Sequence, residues 1–87
     1  MNDPVAAALN RDLPRITQRL VDYVRIASVS TDPAFADGIH AAQEYLIGWL
    51  AGAGFTGARL LPSQGHAPVY AEWLGARGAL TILVYGH

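Results

Sequence analysis

Residues 80–85 read Leu-Thr-Ile-Leu-Val-Tyr, with Gly78 before them and Gly86 after. No other stretch of the chain constrains its fold so strongly. A strand with one face in water alternates apolar and polar residues, whereas this run is apolar on both faces apart from Thr81. Its β-branched content and flanking glycines mark a strand covered on both sides. Such a strand needs a layer above and a layer below. It leads directly into Gly86-His87, at the carboxyl end of a strand, where ligands gather in open α/β sheets.

The residues before it supply part of that cover. Leu9, Leu13, Ile16, Leu20, Val21 and Val24 recur at three- and four-residue steps, with Arg11, Asp12, Arg15, Arg19, Asp22 and Arg25 on the other side. That spacing predicts an amphipathic helix. Pro14 leaves two readings of its start. The helix begins near Asp12 with Pro14 in its first turn, or it begins at Asp3 and kinks at Pro14. Residues 26–35 carry loop chemistry, and Asp32-Pro33 resembles an N-cap followed by proline at the first helical position. A second helix follows, with Phe35, Ile39, Ala42, Leu46, Trp49 and Ala53 on one stripe and Gly52 and Gly54 as its stop.

After Gly54 the period changes. Arg59-Leu60-Leu61 reads as a short strand ending at Pro62, and residues 63–67 read as a loop. Val69, Ala71 and Trp73 alternate with Tyr70, Glu72 and Leu74, which predicts a second strand. Residues 75–78 read as a hairpin-type turn into the apolar run. The expected architecture is α/β: two N-terminal helices packed on a mixed three-stranded sheet, in the order α-α-β-β-β. Two helices cover only one face of such a sheet. The single unit 1–87 therefore reads as an incomplete part of a larger α/β domain.

Composition narrows the partners. The 87 residues are 52% hydrophobic and 15% charged, with a formal net charge of -1. Near-neutral charge gives no reason to expect nucleic acid or an anionic membrane. The absence of cysteine excludes disulfide staples and thiolate zinc sites. The first residues lack a signal-peptide core, and no apolar run approaches the ~18 residues of a membrane span. The expectation is a cytoplasmic protein.

His87 is the chief candidate for chemistry, because imidazole is both the commonest side-chain metal ligand and a ready general base. The other candidates have plainer readings. His40 and Glu44, four apart on the second helix, make a solvated pair. His66 is an exposed loop residue. Ser28 and Ser30 lack a positioned base, and Trp49 and Trp73 fall on apolar faces as core residues. Arg25 suits the end of the first helix. Gly52-Ala53-Gly54 closes a helix and follows no strand, so it is not a phosphate loop.

Three segments in order carry a resemblance. RIASVS (25–30), PVYAEWLG (68–75) and TILVYGH (81–87) are similar to the N-terminal catalytic region of a family of zinc exopeptidases. That family includes carboxypeptidase G, aminoacylase, succinyl-diaminopimelate desuccinylase and carnosinase-type dipeptidases. The Tyr-Ala-Glu-Trp wording resembles the dipeptidase branch most, and Ala27 stands where the family usually has proline. The resemblance implies a catalytic domain with two zinc ions, His87 as one metal ligand, and an Asp two positions further on that orients it. The bridging Asp, the Glu base and the other ligands would belong to the remainder of the same polypeptide. It also implies a dipeptide or N-acyl amino acid substrate and a homodimeric intact enzyme. A catalytic zinc needs about three protein ligands, so the 87 residues alone are expected to be inactive and to bind zinc weakly. The competing reading is a small non-enzymatic α/β module that binds a protein partner through an exposed sheet face or edge.

Overall fold

The computed structural model describes residues 3–86. The chain divides into two compact units, one running to Tyr45 and the other from Leu46. The elements in order are α1 (Pro4–Val24), one turn of 3-10 helix (Pro33–Phe35), α2 (Ala36–Gly52), β1 (Thr56–Leu60) and β2 (Val69–Glu72).

In the first unit, helix α1 starts at the earlier of the two expected places. Asp3 is its N-cap, and its carboxylate accepts from the N–H groups of Val5 at 3.0 Å and Ala6 at 3.2 Å. Pro4 occupies the first turn, where a missing N–H costs nothing. The helix continues through Pro14 to Val24. Proline there removes the donor that would reach the carbonyl of Asn10. On the surface, Asp12 lies 3.3 Å from Arg11 and 3.3 Å from Arg15. The hydrogen bond from Arg11, and the charges of both arginines, hold its carboxyl below the usual value. Any contribution of these pairs is present above that usual value and is lost as pH falls through the lowered one.

Asp32 caps the next helical segment as the sequence predicts. Its side chain accepts from the N–H of Ala34 at 2.9 Å, with Pro33 at the first position. Gly38, Ala42 and Tyr45 then follow at steps of four and three, so they share a face of α2. At Gly38 the carbonyl of Ala27 sits where a Cβ would be. Ala42, 6% exposed, is the one buried residue among those described. Tyr45 donates its hydroxyl to the carbonyl of Arg19 at 3.1 Å. Its ring lies 5.9 Å from that of Tyr23, tilted by 39°. Small residues on this face let the 25–32 segment approach the helix, and the tyrosine behind them ties α2 to α1.

In the second unit, α2 ends in a Schellman motif. The N–H of Phe55 donates to the carbonyl of Leu50 and that of Gly54 to Ala51, both at 3.1 Å. Gly54 has φ 96°, a left-handed conformation that glycine adopts without a Cβ penalty. Strands β1 and β2 pair antiparallel, with Arg59 opposite Tyr70 and Leu60 opposite Val69. The N–H of Leu61 donates to the carbonyl of Pro68 at 3.0 Å, which carries the register one pair further and closes the 62–67 loop. A shift in register separates these pairs from Thr56 opposite Glu72, and Gly57 lies within it.

The sheet differs from expectation. It has two strands, antiparallel and not mixed, and residues 80–86 form no strand among the described residues. Residues 76–79 make a turn, with the N–H of Ala79 donating to the carbonyl of Ala76 at 3.2 Å. That turn does not return the chain onto β2. The reason is energetic: a strand apolar on both faces gains from a sheet only when both faces are covered, and ordering it otherwise costs backbone entropy. Trp73 is a second correction. It is 59% exposed, because β2 stops at Glu72 and leaves it outside the ladder. Trp49, on α2, is half-buried, short of the core position expected. No described helix is long and apolar enough to cross a membrane.

Gly38→Ala separates packing from propensity. Propensity alone would stabilise α2 by up to about 1 kcal/mol. Collision with the Ala27 carbonyl should instead give a net loss of more than about 1 kcal/mol, since overpacking typically costs 1–3 kcal/mol. Urea unfolding followed by circular dichroism reads the sign, and a stabilised variant would refute the close approach.

Candidate metal-ligand segment

The segment that leads to His87 leaves the ladder at Glu72 and runs through the 76–79 turn. Beyond the turn Leu80 is 97% exposed and Ile82 82% exposed, and every residue from Trp73 to Gly86 is exposed. His87 itself lies outside the described residues. The other histidines have ordinary settings. His40 and Glu44 face water on α2 with Nε2 and Oε1 3.2 Å apart, the solvated pair the spacing predicts. His66 is exposed in the loop between β1 and β2, Ser28 is half-buried and Ser30 exposed in the 25–32 segment, and Arg25 is the C-cap of α1.

Whether these residues fit a zinc centre is a question of donors. A catalytic zinc takes about three nitrogen, oxygen or sulfur ligands within bonding distance. Among the described residues no group of three His, Asp or Glu side chains is drawn together that could hold a metal ion. The described residues therefore do not fit a zinc centre by themselves.

One side-chain cluster escaped the sequence reading. On the paired strands, the guanidinium carbon of Arg59 lies 4.8 Å from the centroid of the Tyr70 ring, and Arg59 also donates to the carbonyl of Gly57 at 2.9 Å. The Tyr70 hydroxyl donates to Glu72 Oε2 at 2.9 Å. Tyr70 and Glu72 are two apart on a strand and so share a face, as the alternation at 69–74 implies. Arg59 joins them only because the register sets it opposite Tyr70. The bond to Glu72, and that carboxylate's charge, raise the phenol above its usual value. Tyr70 thus links the two charges, with its hydroxyl on Glu72 and its ring face under Arg59.

No protein-family model matches this chain, and no curated protein or solved structure matches it significantly.

The tyrosine–glutamate bond has a pH signature. The raised phenol contributes stability that is complete below the usual tyrosine value and disappears as pH rises through the raised one. Glu72→Gln should bring Tyr70 back toward the usual value. Phenolate absorbance, taken as the difference between each protein and its Tyr70→Phe counterpart, measures this, and an unchanged titration would count against the bond.

Proposed function

We propose that this chain is the N-terminal part of the catalytic domain of a zinc-dependent exopeptidase or amide hydrolase of the dipeptidase type. Its role there is to contribute His87 as one metal ligand. The remaining ligands, the general base and the cover for the sheet come from the remainder of the polypeptide. The intact enzyme is a cytoplasmic homodimer that acts on dipeptides or N-acyl amino acids. The substrate class rests on the resemblance of residues 25–30, 68–75 and 81–87.

The observation that supports an incomplete domain most is burial. Among the described residues only Ala42 is buried, while Leu9, Leu13, Leu20, Trp73, Leu74 and the apolar residues of 80–85 are exposed. Folded domains offset chain entropy chiefly by removing apolar surface from water, and with one fully buried residue among those described much of that term is left unused. In the intact domain residues 80–85 form the third strand, covered on both faces, and deliver His87 to the sheet's carboxyl edge. A zinc-ligating histidine binds through the neutral imidazole, so affinity falls as the ring protonates.

Two measurements test this. The coding sequence after His87 should continue with any residue and then Asp. In the protein so encoded, His87→Ala should lower zinc affinity by more than the roughly 10–100-fold that loss of an outer-shell partner costs. The isolated 87-residue chain should not hydrolyse dipeptides. Hydrolysis by that chain alone would contradict the proposal, and a compact and stable monomer by sedimentation and thermal unfolding would favour a self-sufficient non-enzymatic binding module.

A further inference from the structure

Strand β1 carries one residue more than β2 between two fixed pairs. From Thr56 to Arg59 is three steps, while their partners Glu72 and Tyr70 stand two steps apart. The extra residue makes a bulge. Gly57 sits in it at φ 64°, the left-handed conformation of a glycine bulge. Two side chains hold it. On one side the Thr56 hydroxyl donates to the carbonyl of Glu72 at 3.2 Å. On the other, Arg59 donates to the carbonyl of Gly57 while its guanidinium rests over the Tyr70 ring. Past the bulge the ladder ends at Glu72, and the Trp73 indole turns onto Gly75, where an added Cβ would lie 2.6 Å from the ring.

We propose that this bulge is a register latch with two positions, and that it decides whether Trp73 lies outside the ladder or within it. Carried on without the extra residue, the register of Leu60–Val69 and Arg59–Tyr70 sets Ala58 opposite Ala71, Gly57 opposite Glu72 and Thr56 opposite Trp73. Side chains directly opposite one another share a face. Trp73 then joins Leu60, Val69 and Ala71, which completes the alternation of residues 69–73 and sets the indole on their apolar face. The straight register gains a cross-strand pair and the indole's contacts there. The bulged register keeps the Thr56 and Arg59 hydrogen bonds and the seat of Trp73 on Gly75. Gly57 permits the choice, because a left-handed φ costs glycine little and a β-branched residue much. Arg59 is the positioning residue, since its planar guanidinium bonds Gly57 and stacks on Tyr70 at once. Pairs on the loop side of Arg59 are the same in both positions, so the change is confined to 56–58 and 71–75. The latch therefore sets where the chain leaves the sheet on its way to His87. It is independent of the function proposed above.

NMR of the 87-residue chain reads the position. In the latched chain the indole ring current displaces the Gly75 α-proton resonances, and no α-proton contact joins Thr56 to Trp73. Gly57→Val should move the chain to the straight register. A contact between the α protons of Thr56 and Trp73 then appears, and the displacement at Gly75 is lost. The Leu60–Val69 contact should persist, because both positions share that pair. Gly57→Asn should stay latched, since asparagine tolerates the left-handed region. Arg59→Met should populate the straight register beside the latched one. The proposal is overturned if Gly57→Val keeps the contacts of the unsubstituted chain, or if Gly57→Asn behaves as Gly57→Val does. Loss of the Leu60–Val69 contact in Gly57→Val also overturns it, because release of a latch leaves the hairpin paired. So does an Arg59→Met chain with an unchanged register. Zinc binding and hydrolysis by the longer polypeptide are read separately, so failure here is distinguishable from failure of the functional proposal.

Discussion

With Ala42 the one buried residue among those described, the helices stand more on local chemistry than on a core. Asp3 and Asp32 cap the two helical starts with their own carboxylates, and a Schellman turn closes α2. Each such cap contributes on the order of 1 kcal/mol. The ion pairs around Asp12 and the contact between His40 and Glu44 lie at short sequence separations on exposed helix surface and add less. Long-range contacts in the first unit include the approach of Ala27 to Gly38 and the reach of Tyr45 to α1. Both depend on small residues at 38 and 42, which keep that face of α2 low enough for backbone to come close. In the second unit, backbone pairing between β1 and β2 takes the corresponding role.

This division explains what the sequence could tell. Helix α2 was legible at both ends, because caps and C-terminal turns are set by residues within a few positions of one another. The start of α1 was open between Asp3 and Asp12 because Pro14 suits a first turn as well as a kink within a longer helix. A mid-helix proline weakens a helix without forbidding it, and the well-capped first turn at Asp3 and Pro4 carries the helix past it.

The strands were less legible, because a strand is defined by what lies beside it. Residues 69–72 found a partner in β1, but the pairing stopped before Trp73, so its ring stays outside the ladder. Residues 80–85 show the limit most sharply. Their pattern states what the segment needs, two apolar layers, and a pattern cannot supply the layers. The same holds for His87. Its place after an apolar run and a glycine was readable, while a metal centre is a property of several segments brought together. The Arg59–Tyr70–Glu72 cluster was only half visible, since cross-strand neighbours follow from a register that includes an irregularity near Gly57.

Pro14 has a consequence for motion as well as for shape. Without its N–H, the ladder of α1 has one rung missing near the middle of its 21 residues. The turns before it and the turns after it are joined by fewer backbone bonds than any other neighbouring stretches of the helix. Opening of the first half therefore need not carry the second half with it, which is held through Arg19 and Tyr23 to Tyr45. Amides before Pro14 should exchange with solvent hydrogen sooner than those after it, and a protease should find its first foothold there. The longest element of the chain is, in this sense, two elements of unequal permanence sharing one axis.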